Sequence, residues 1–204
     1  MVIERTYRGV SAEERRAQRH RQLLDATLDI WGHEDRPRIT MTGVCNEAGL
    51  TERYFYESFA HLDVALVELL DEIATEIEQR TVTELHVAGD DPLARVRAVT
   101  AAFVGVLTDD PRKGRVALVE APSLDVTRAR RDLMLRRLAR LSSREARKLH
   151  GPTAWAEGSG VLVATMFVGG VVQLVLGRLD GSITADPVVL VDAAARSFAV
   201  TSQL

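Results

Sequence analysis

The stretch ITMTGVCNEAGLTERYFYESFAHL at residues 39–62 constrains the fold of this chain more than any other feature. It predicts a short helix from Thr40 to Ala48, a Gly49-Leu50 turn, and a second short helix from Thr51 to Phe59. Thr51 suits the N-cap of that second helix, because its hydroxyl can accept a hydrogen bond from a free backbone N–H. Two short helices joined by a tight turn containing glycine form a helix-turn-helix, whose second helix can lie in the major groove of DNA.

The second of these helices has two different faces. Phe55 and Phe59 are four residues apart and therefore share one face. Their predicted core partners are Val44, Ala48 and Leu50. The opposite face, which a groove would meet, carries Arg53 and Glu57, with Tyr54 and Tyr56 on its flanks. The alternative is an ordinary helical hairpin with a solvated outer face, because this pattern also occurs in proteins that do not bind DNA.

Two further helices frame the motif, one predicted from Glu13 to Trp31 and one from Leu62 to Arg80. With them, roughly residues 15–75 resemble the tetracycline-repressor (TetR) family of bacterial transcription regulators. Its members carry a segment like I-T-x-x-x-[IV]-A-x-x-A-G-[VL]-[ST]-x-x-x-[LF]-Y-x-[HY]-F. The matching positions are Ile39, Thr40, Val44, Ala48, Gly49, Leu50, Thr51, Phe55, Tyr56 and Phe59. The chain departs from the family at Cys45, Ser58 and Leu62, where Ala, His and Lys are common.

The resemblance implies an all-α protein of two domains. The first, at residues 13–76, would be a three-helix helix-turn-helix DNA-binding domain, and the second, at 77–204, a helical ligand-binding and dimerisation domain. Such a protein binds a palindromic operator in double-stranded DNA as a homodimer, and as a repressor it is released by a small-molecule effector. The residues expected at the DNA are Arg38, Thr40, Thr42, Thr51, Glu52, Arg53, Tyr54, Tyr56, Glu57, Ser58 and His61. The motif implies that the Tyr56 hydroxyl contacts a phosphate.

Charge is distributed unevenly along the chain, whose net charge is −3. Residues 1–60 hold 9 basic and 10 acidic residues, so the segment proposed to bind DNA is not basic as a whole. Its local basic residues, such as Arg15, Arg16, Arg19 and Arg21, matter more for phosphate contacts than the total. Residues 61–127 hold 6 basic and 13 acidic residues, whereas 128–148 hold 9 basic and 2 acidic ones. We expect the arginine-rich stretch to be a solvated helix face that packs near the acidic region; a second nucleic-acid surface is the alternative.

The cysteine content and the first ten residues bear on the compartment. Cys45 is the single cysteine, which excludes an intrachain disulfide framework. Its place in the motif is typical of a small core residue rather than a redox sensor. The first ten residues, MVIERTYRGV, carry charges and no apolar segment, so they do not form a signal peptide. We therefore expect a cytoplasmic protein.

Residues 158–177, GSGVLVATMFVGGVVQLVLG, carry no charge and are long enough to span a bilayer. A membrane-anchored DNA-binding regulator is therefore one alternative. Gln173 and the Gly169-Gly170 pair favour a helix buried in a core or a dimer interface instead, and no membrane partner is expected. Small residues would allow a second helix to approach closely, and the predicted interface residues are Thr165, Gly169, Gln173 and Leu190. The resemblance implies that this helix and the last one, Pro187–Ala199, pair with their symmetry mates.

Catalytic and metal-binding motifs are missing from the sequence. It has no Gly-rich phosphate loop, HExxH or CxxC, and its five histidines lack partners at metal-ligand spacing. We expect neither a cofactor nor a metal, and an all-helical enzyme ranks last among the alternatives. A pocket lined by apolar side chains would suit a small hydrophobic or amphipathic effector. Its predicted lining residues are Phe103, Leu107, Trp155, Met166 and Phe167, each of which is about as consistent with an ordinary core position.

Overall fold

The computed structural model describes residues 11–35, 38–151 and 160–201, and within them the chain forms helices and no β-strand. The predicted all-α class is therefore confirmed. The α-helices are α1 (Ala12–Trp31), α2 (Met41–Ala48), α3 (Glu52–Ser58), α4 (Leu62–Ala88), α5 (Pro92–Asp109), α6 (Pro111–Arg115), α7 (Asp125–His150), α8 (Gly160–Leu179) and α9 (Pro187–Thr201). The chain divides into two compact units, Met1–Leu69 and Leu70–Leu204, so the predicted domain boundary at residue 76 falls inside α4.

The first unit is built on α1, which packs against both α2 and α3. Ser11 and Glu14 form a capping box, in which each side chain accepts a hydrogen bond from the backbone N–H of the other residue. The carboxyl-terminal half of α1 is buried, with Leu23 fully enclosed. Burying this face offsets the entropy lost when short helices such as α2 and α3 become ordered.

The second unit has α5 at its centre. Ten of its residues are buried, and it packs mainly against α9, while α7 packs mainly against α8. Asp91 caps α5 by accepting a hydrogen bond from the backbone N–H of Ala94, and Pro92 occupies the first helical position. A helix buried on nearly all sides needs few polar residues, which explains why α5 carries no charge between Arg97 and Asp109.

The segment after α5 has the sequence DDPRKG at residues 109–114, which is rich in turn-forming residues, yet a new helix begins within it. Asp110 caps a short helix, α6, which continues as a π-helical turn over Val116–Glu120 and a 3-10 turn over Ala121–Ser123. Gly114 is required in α6 because a Cβ there would collide with the carbonyl oxygen of Leu107. Asp110 and Pro111 therefore mark the boundary between α5 and α6, and the close packing at Gly114 is not visible in the sequence.

Ion pairs tie α4 to the rest of the second unit. Towards α7, Asp71 accepts hydrogen bonds from Arg130 and Glu78 from Arg137. On the side of α5 and α6, the pairs are Glu76 with Lys113 and Arg80 with Asp109. The expectation that the arginine-rich stretch packs near the acidic region is confirmed by the first two. Exposed pairs of this kind contribute only about 0–1 kcal/mol each, so they orient α4 more than they stabilise it.

Candidate nucleic-acid interface and ligand cavity

The turn between α2 and α3 has the backbone that the sequence predicts. Gly49 has φ 64°, a left-handed conformation that glycine adopts without steric cost. Thr40 caps α2, with its hydroxyl accepting a hydrogen bond from the Gly43 N–H at 3.1 Å. Thr51 stands at the N-cap of α3, but its side chain makes no capping hydrogen bond, so that part of the prediction was wrong. Instead, the Thr51 carbonyl oxygen accepts hydrogen bonds from the backbone N–H groups of Tyr54 at 2.9 Å and Phe55 at 3.3 Å.

One face of the helix-turn-helix is buried as expected. Phe55 and Phe59 are fully buried, with ring centroids 5.4 Å apart, and the His20 ring from α1 lies 4.6 Å from that of Phe59. Cys45 is also buried, and this burial, together with the nearby Glu52 carboxylate, raises the pKa of its thiol. The aromatic contacts fix the rotation of α3 on α1, and therefore determine which side chains project outward.

The outer face of α3 is organised by arginines. Arg53 has a side chain 84% exposed, and its Nε donates to Glu57 at 3.1 Å. Arg19 of α1 lies 3.6 Å from the Glu57 carboxylate and 4.5 Å above the ring of Tyr54. Arg16 donates to the Glu57 carbonyl at 3.0 Å. Basic side chains from α1 therefore surround the one acidic group at the end of α3.

None of the eleven residues expected at the DNA is buried. Most are exposed, namely Arg38, Thr40, Thr42, Thr51, Glu52, Arg53, Tyr56 and His61, and the half-buried ones are Tyr54, Glu57 and Ser58. Two of them meet across the turn, where the Thr42 hydroxyl donates to Glu52 at 3.2 Å. The packing of Arg16 and Arg19 onto α3 was not predicted from the sequence. The sequence shows that these arginines cluster on α1, but not which element they contact.

A cavity of ≈ 780 Å³ lies in the second unit between α4 and α7. Its apolar lining comes from Ala74, Ile77, Val82, Leu85, Leu133, Met134, Leu138, Leu141 and Val161. Five arginines also line it, namely Arg130, Arg137, Arg140, Arg144 and Arg147, against the two carboxylates of Asp71 and Glu78. A volume in the range of about 300–1,000 Å³ is usual for small-molecule sites.

This cavity is not the one that the sequence predicted. Phe103 and Leu107 are buried in α5 and do not line it. Met166 and Phe167 line a different cavity of ≈ 460 Å³ between α8 and α9, and Trp155 lies outside the described residues. The lining residues of α4 and α7 are far apart in the chain, and nothing in the sequence showed that these two helices face each other. Among the described residues, no group of three or more His, Cys, Asp or Glu side chains could hold a metal ion.

The outer face of α8 is apolar and open. Thr165, Gly169 and Gln173 are exposed and lie on one side, and a Cβ added at Gly169 would meet nothing within 4 Å. Met166 on the same surface is 75% exposed. Leu190 of α9, predicted at the dimer interface, is instead buried within the protomer at 5% exposure. Within the described part of the chain, α8 alone is long and apolar enough to cross a membrane, and only 33% of its most apolar window is buried.

Comparison with known proteins identifies the fold. No protein-family model matches the chain, and no curated protein is significantly similar in sequence. Solved structures do match, among them the transcriptional regulator FadR from Bacillus subtilis in complex with stearoyl-CoA, at a TM-score of 0.75 and 16% identity, covering 89% of this chain and 98% of that one.

Two further structures agree with it. The fatty acid degradation regulator FadR from Bacillus halodurans matches at a TM-score of 0.74 and 14% identity, over 88% of this chain and 94% of that one. A TetR-family transcriptional regulator from Bordetella parapertussis matches at a TM-score of 0.69 and 12% identity, over 88% and 93%. The chain has the fold of TetR-family regulators along most of its length, which confirms the resemblance drawn from residues 39–59.

Proposed function

We propose that the protein is a cytoplasmic, homodimeric transcription repressor that binds a palindromic DNA operator and releases it when a small molecule binds. The observation that carries the proposal is the helix-turn-helix, in which aromatic side chains hold α3 by one face and leave the other open. Solved structures that match this fold include transcriptional regulators. The sequence carries no motif of an enzyme, so catalysis is not part of the proposal.

The outer face of α3 supports direct reading of a major groove. The Arg53 guanidinium is exposed and can present two N–H groups to the O6 and N7 atoms of a guanine. The Tyr56 ring is 59% exposed beside it, where its hydroxyl suits a phosphate oxygen. Arg19 compensates the Glu57 carboxylate, which reduces the repulsion between this acidic group and the DNA backbone, and Arg16 donates to the Glu57 backbone carbonyl.

Two copies of α3 are needed to read a palindrome. The exposed apolar face of α8, with Thr165, Gly169 and Gln173 along it, is the surface that we assign to the two-fold contact. An uncharged helix face of this kind is unfavourable in water and is covered when two protomers associate. The spacing of the two half-sites would then follow the separation of the two α3 helices.

Effector control is proposed to run through α4. This helix is continuous from Leu62 to Ala88 and contributes residues to both compact units. It also forms one wall of the ≈ 780 Å³ cavity. An effector that binds better to one arrangement of α4 than to another shifts the population towards that arrangement, and it weakens DNA binding if the favoured state fits the operator poorly.

The test begins with selection of genomic fragments by the purified full-length protein. We expect enrichment of fragments that share an inverted repeat, and no enrichment would contradict the proposal. On such a fragment, Arg53→Ala is expected to weaken binding by about 1–3 kcal/mol, while binding to random DNA changes less. Arg136→Ala is the matched control, because Arg136 is an exposed arginine of α7, which belongs to the other compact unit. Equal losses on both DNAs would assign Arg53 to a phosphate contact instead.

A further inference from the structure

The cavity between α4 and α7 has an uneven charge along its length. Its two carboxylates are both engaged, Asp71 by Arg130 and Glu78 by Arg137. The three remaining arginines, Arg140, Arg144 and Arg147, make no ion pair within the described residues. Their spacing along α7 puts them on one helix face. One end of the cavity is therefore neutral and the other carries three uncompensated positive charges.

The apolar lining lies between and behind these charges. Side chains of Leu133, Met134, Leu138 and Leu141 follow α7 along the cavity, and Ile77 and Leu85 follow α4. From position 130 to position 147 the helix rises roughly 25 Å, at about 1.5 Å per residue. The cavity is thus elongated, with an apolar wall and a cationic end.

A buried hydroxyl gives a second, independent indication of a ligand. Thr81 lines the cavity and is only 6% exposed, yet its Oγ1 has no hydrogen-bond partner among the described residues. A buried hydroxyl without a partner costs about 1–3 kcal/mol relative to a satisfied one. A polar atom of a bound molecule would supply the missing partner.

We propose that this cavity binds a linear amphiphile with an anionic head group, which Arg140, Arg144 and Arg147 hold while the apolar chain runs along α4 and α7. The assignment to effector control rests on the proposed function, but the binding itself does not. Arginines bind carboxylate and phosphate oxygens through two parallel N–H donors, so either head group suits them. The bound anion also lies within about one helical turn of Arg137, where it competes with Glu78 and loosens the attachment of α4 to α7.

The test is calorimetric titration of the full-length protein without DNA, using dodecanoate, dodecanoyl-CoA and the neutral dodecan-1-ol, with the two anions below their micelle concentrations and the alcohol below its solubility limit. We expect both anions to bind, and the alcohol to bind about tenfold more weakly or not at all. Tighter binding of the CoA ester than of the free acid would assign the head group to phosphates, and the reverse to a carboxylate. Equal binding of alcohol and acid, or no binding of either anion, would overturn the proposal.

Paired variants locate the head group. Arg140→Gln with Arg144→Gln should weaken binding of the anions about tenfold or more and leave the alcohol unchanged. The matched control is Arg136→Gln with Arg178→Gln, which removes two exposed charges that do not line the cavity. Equal losses in both pairs would show a general charge effect and refute the site. Thr81→Val keeps the shape of the side chain and should lower affinity without changing the circular dichroism spectrum.

The two proposals fail separately in these measurements. Binding of dodecanoate without any DNA binding would retain the cavity assignment and refute the transcriptional one. Operator binding with no calorimetric response to the anions would retain the transcriptional proposal and refute the cavity assignment. If both bind, addition of the tighter anion should release the operator from the wild-type protein and not from the Arg140/Arg144 variant.

Discussion

Glu57 illustrates how one side chain organises the surface that we assign to DNA. It is an acidic residue on the face that we propose to approach phosphates, and alone it would repel them. Arg53 pairs with its carboxylate from one turn away, and Arg19 approaches it from α1. In the proposed complex, where Arg53 turns to a base, Arg19 would still compensate Glu57. The arrangement therefore frees one arginine for recognition without leaving the carboxylate unpaired.

Tyr56 provides a prediction at the same scale. Tyr56→Phe removes only a hydroxyl from a side chain that is 59% exposed, so the fold should be unaffected. We expect reduced affinity for operator and random DNA alike, because a phosphate contact carries no sequence information. Binding isotherms at moderate salt would measure this, and an unchanged isotherm would remove Tyr56 from the interface.

Single residues also show where prediction from the sequence succeeds. The burial of Phe55 and Phe59 follows from their spacing of four on a helix, which is a local property. The left-handed conformation of Gly49 follows equally from turn chemistry. The stacking of Arg19 on Tyr54 does not, because it joins residues far apart in the chain. Local rules therefore predict the motif, whereas the charged groups that surround it could be identified only from the structure.

Among the elements, α7 combines exposed ion pairs with one that is buried. Glu145 has a side chain only 3% exposed and accepts hydrogen bonds from Arg95 at 2.9 Å and from Lys148 at 2.9 Å. Burial alone raises the pKa of Glu145, but the hydrogen bonds from Arg95 and Lys148 outweigh it, and the pKa lies below its usual value. This pair joins α7 to the start of α5.

Removing that buried carboxylate should be costly. Glu145→Ala leaves Arg95 poorly compensated and is expected to lower the free energy of unfolding by about 3 kcal/mol at neutral pH. Glu78→Ala, which removes an exposed partner of Arg137, is the control and should cost about 1 kcal/mol or less. Urea unfolding of the two variants measures both values. Equal losses would show that burial does not distinguish the pairs.

The same pair predicts a dependence on pH. Because the folded protein lowers the pKa of Glu145, the ionised form stabilises the fold at every pH above the ordinary value of 4.5. The contribution is lost as pH falls from there through the lower folded pKa. The difference in stability between wild type and Glu145→Ala should thus be constant near neutrality and shrink below about pH 4.5. A difference that widened in acid would contradict the lowered pKa.

At the scale of the whole molecule, the exposed apolar face of α8 is the surface that we expect a second protomer to bury. We expect Gly169→Leu to weaken the dimer, because a bulky side chain prevents the close approach of a second helix. The protomer itself has open space at this position, so its helical content should not change. Ala129→Leu, an exposed substitution on α7, is the control. Sedimentation equilibrium in detergent-free buffer measures the association.

Either of two results would contradict this assignment. A dimer as tight as wild type would place the interface elsewhere, and a wild-type protein that requires detergent would favour the membrane alternative. The sequence revealed an uncharged helix at residues 158–177, but not which of its sides was left open. Leu190 shows the difficulty, since an apolar residue of a terminal helix packs equally well inside a protomer. Composition predicts burial, whereas only packing tells which partner provides it.

The single cysteine makes the helix-turn-helix unit measurable by itself. Cys45 is 2% exposed and its thiol pKa is raised, so a disulfide reagent reaches a reactive thiolate only when α2 opens. The labelling rate in the native protein then measures how often this region opens, and opening that is confined to other parts of the chain does not contribute to it. Operator DNA should lower the labelling rate of Cys45, because a ligand that binds the closed form reduces the open population. The full-length protein thereby carries its own reporter of how firmly the DNA-reading unit is held.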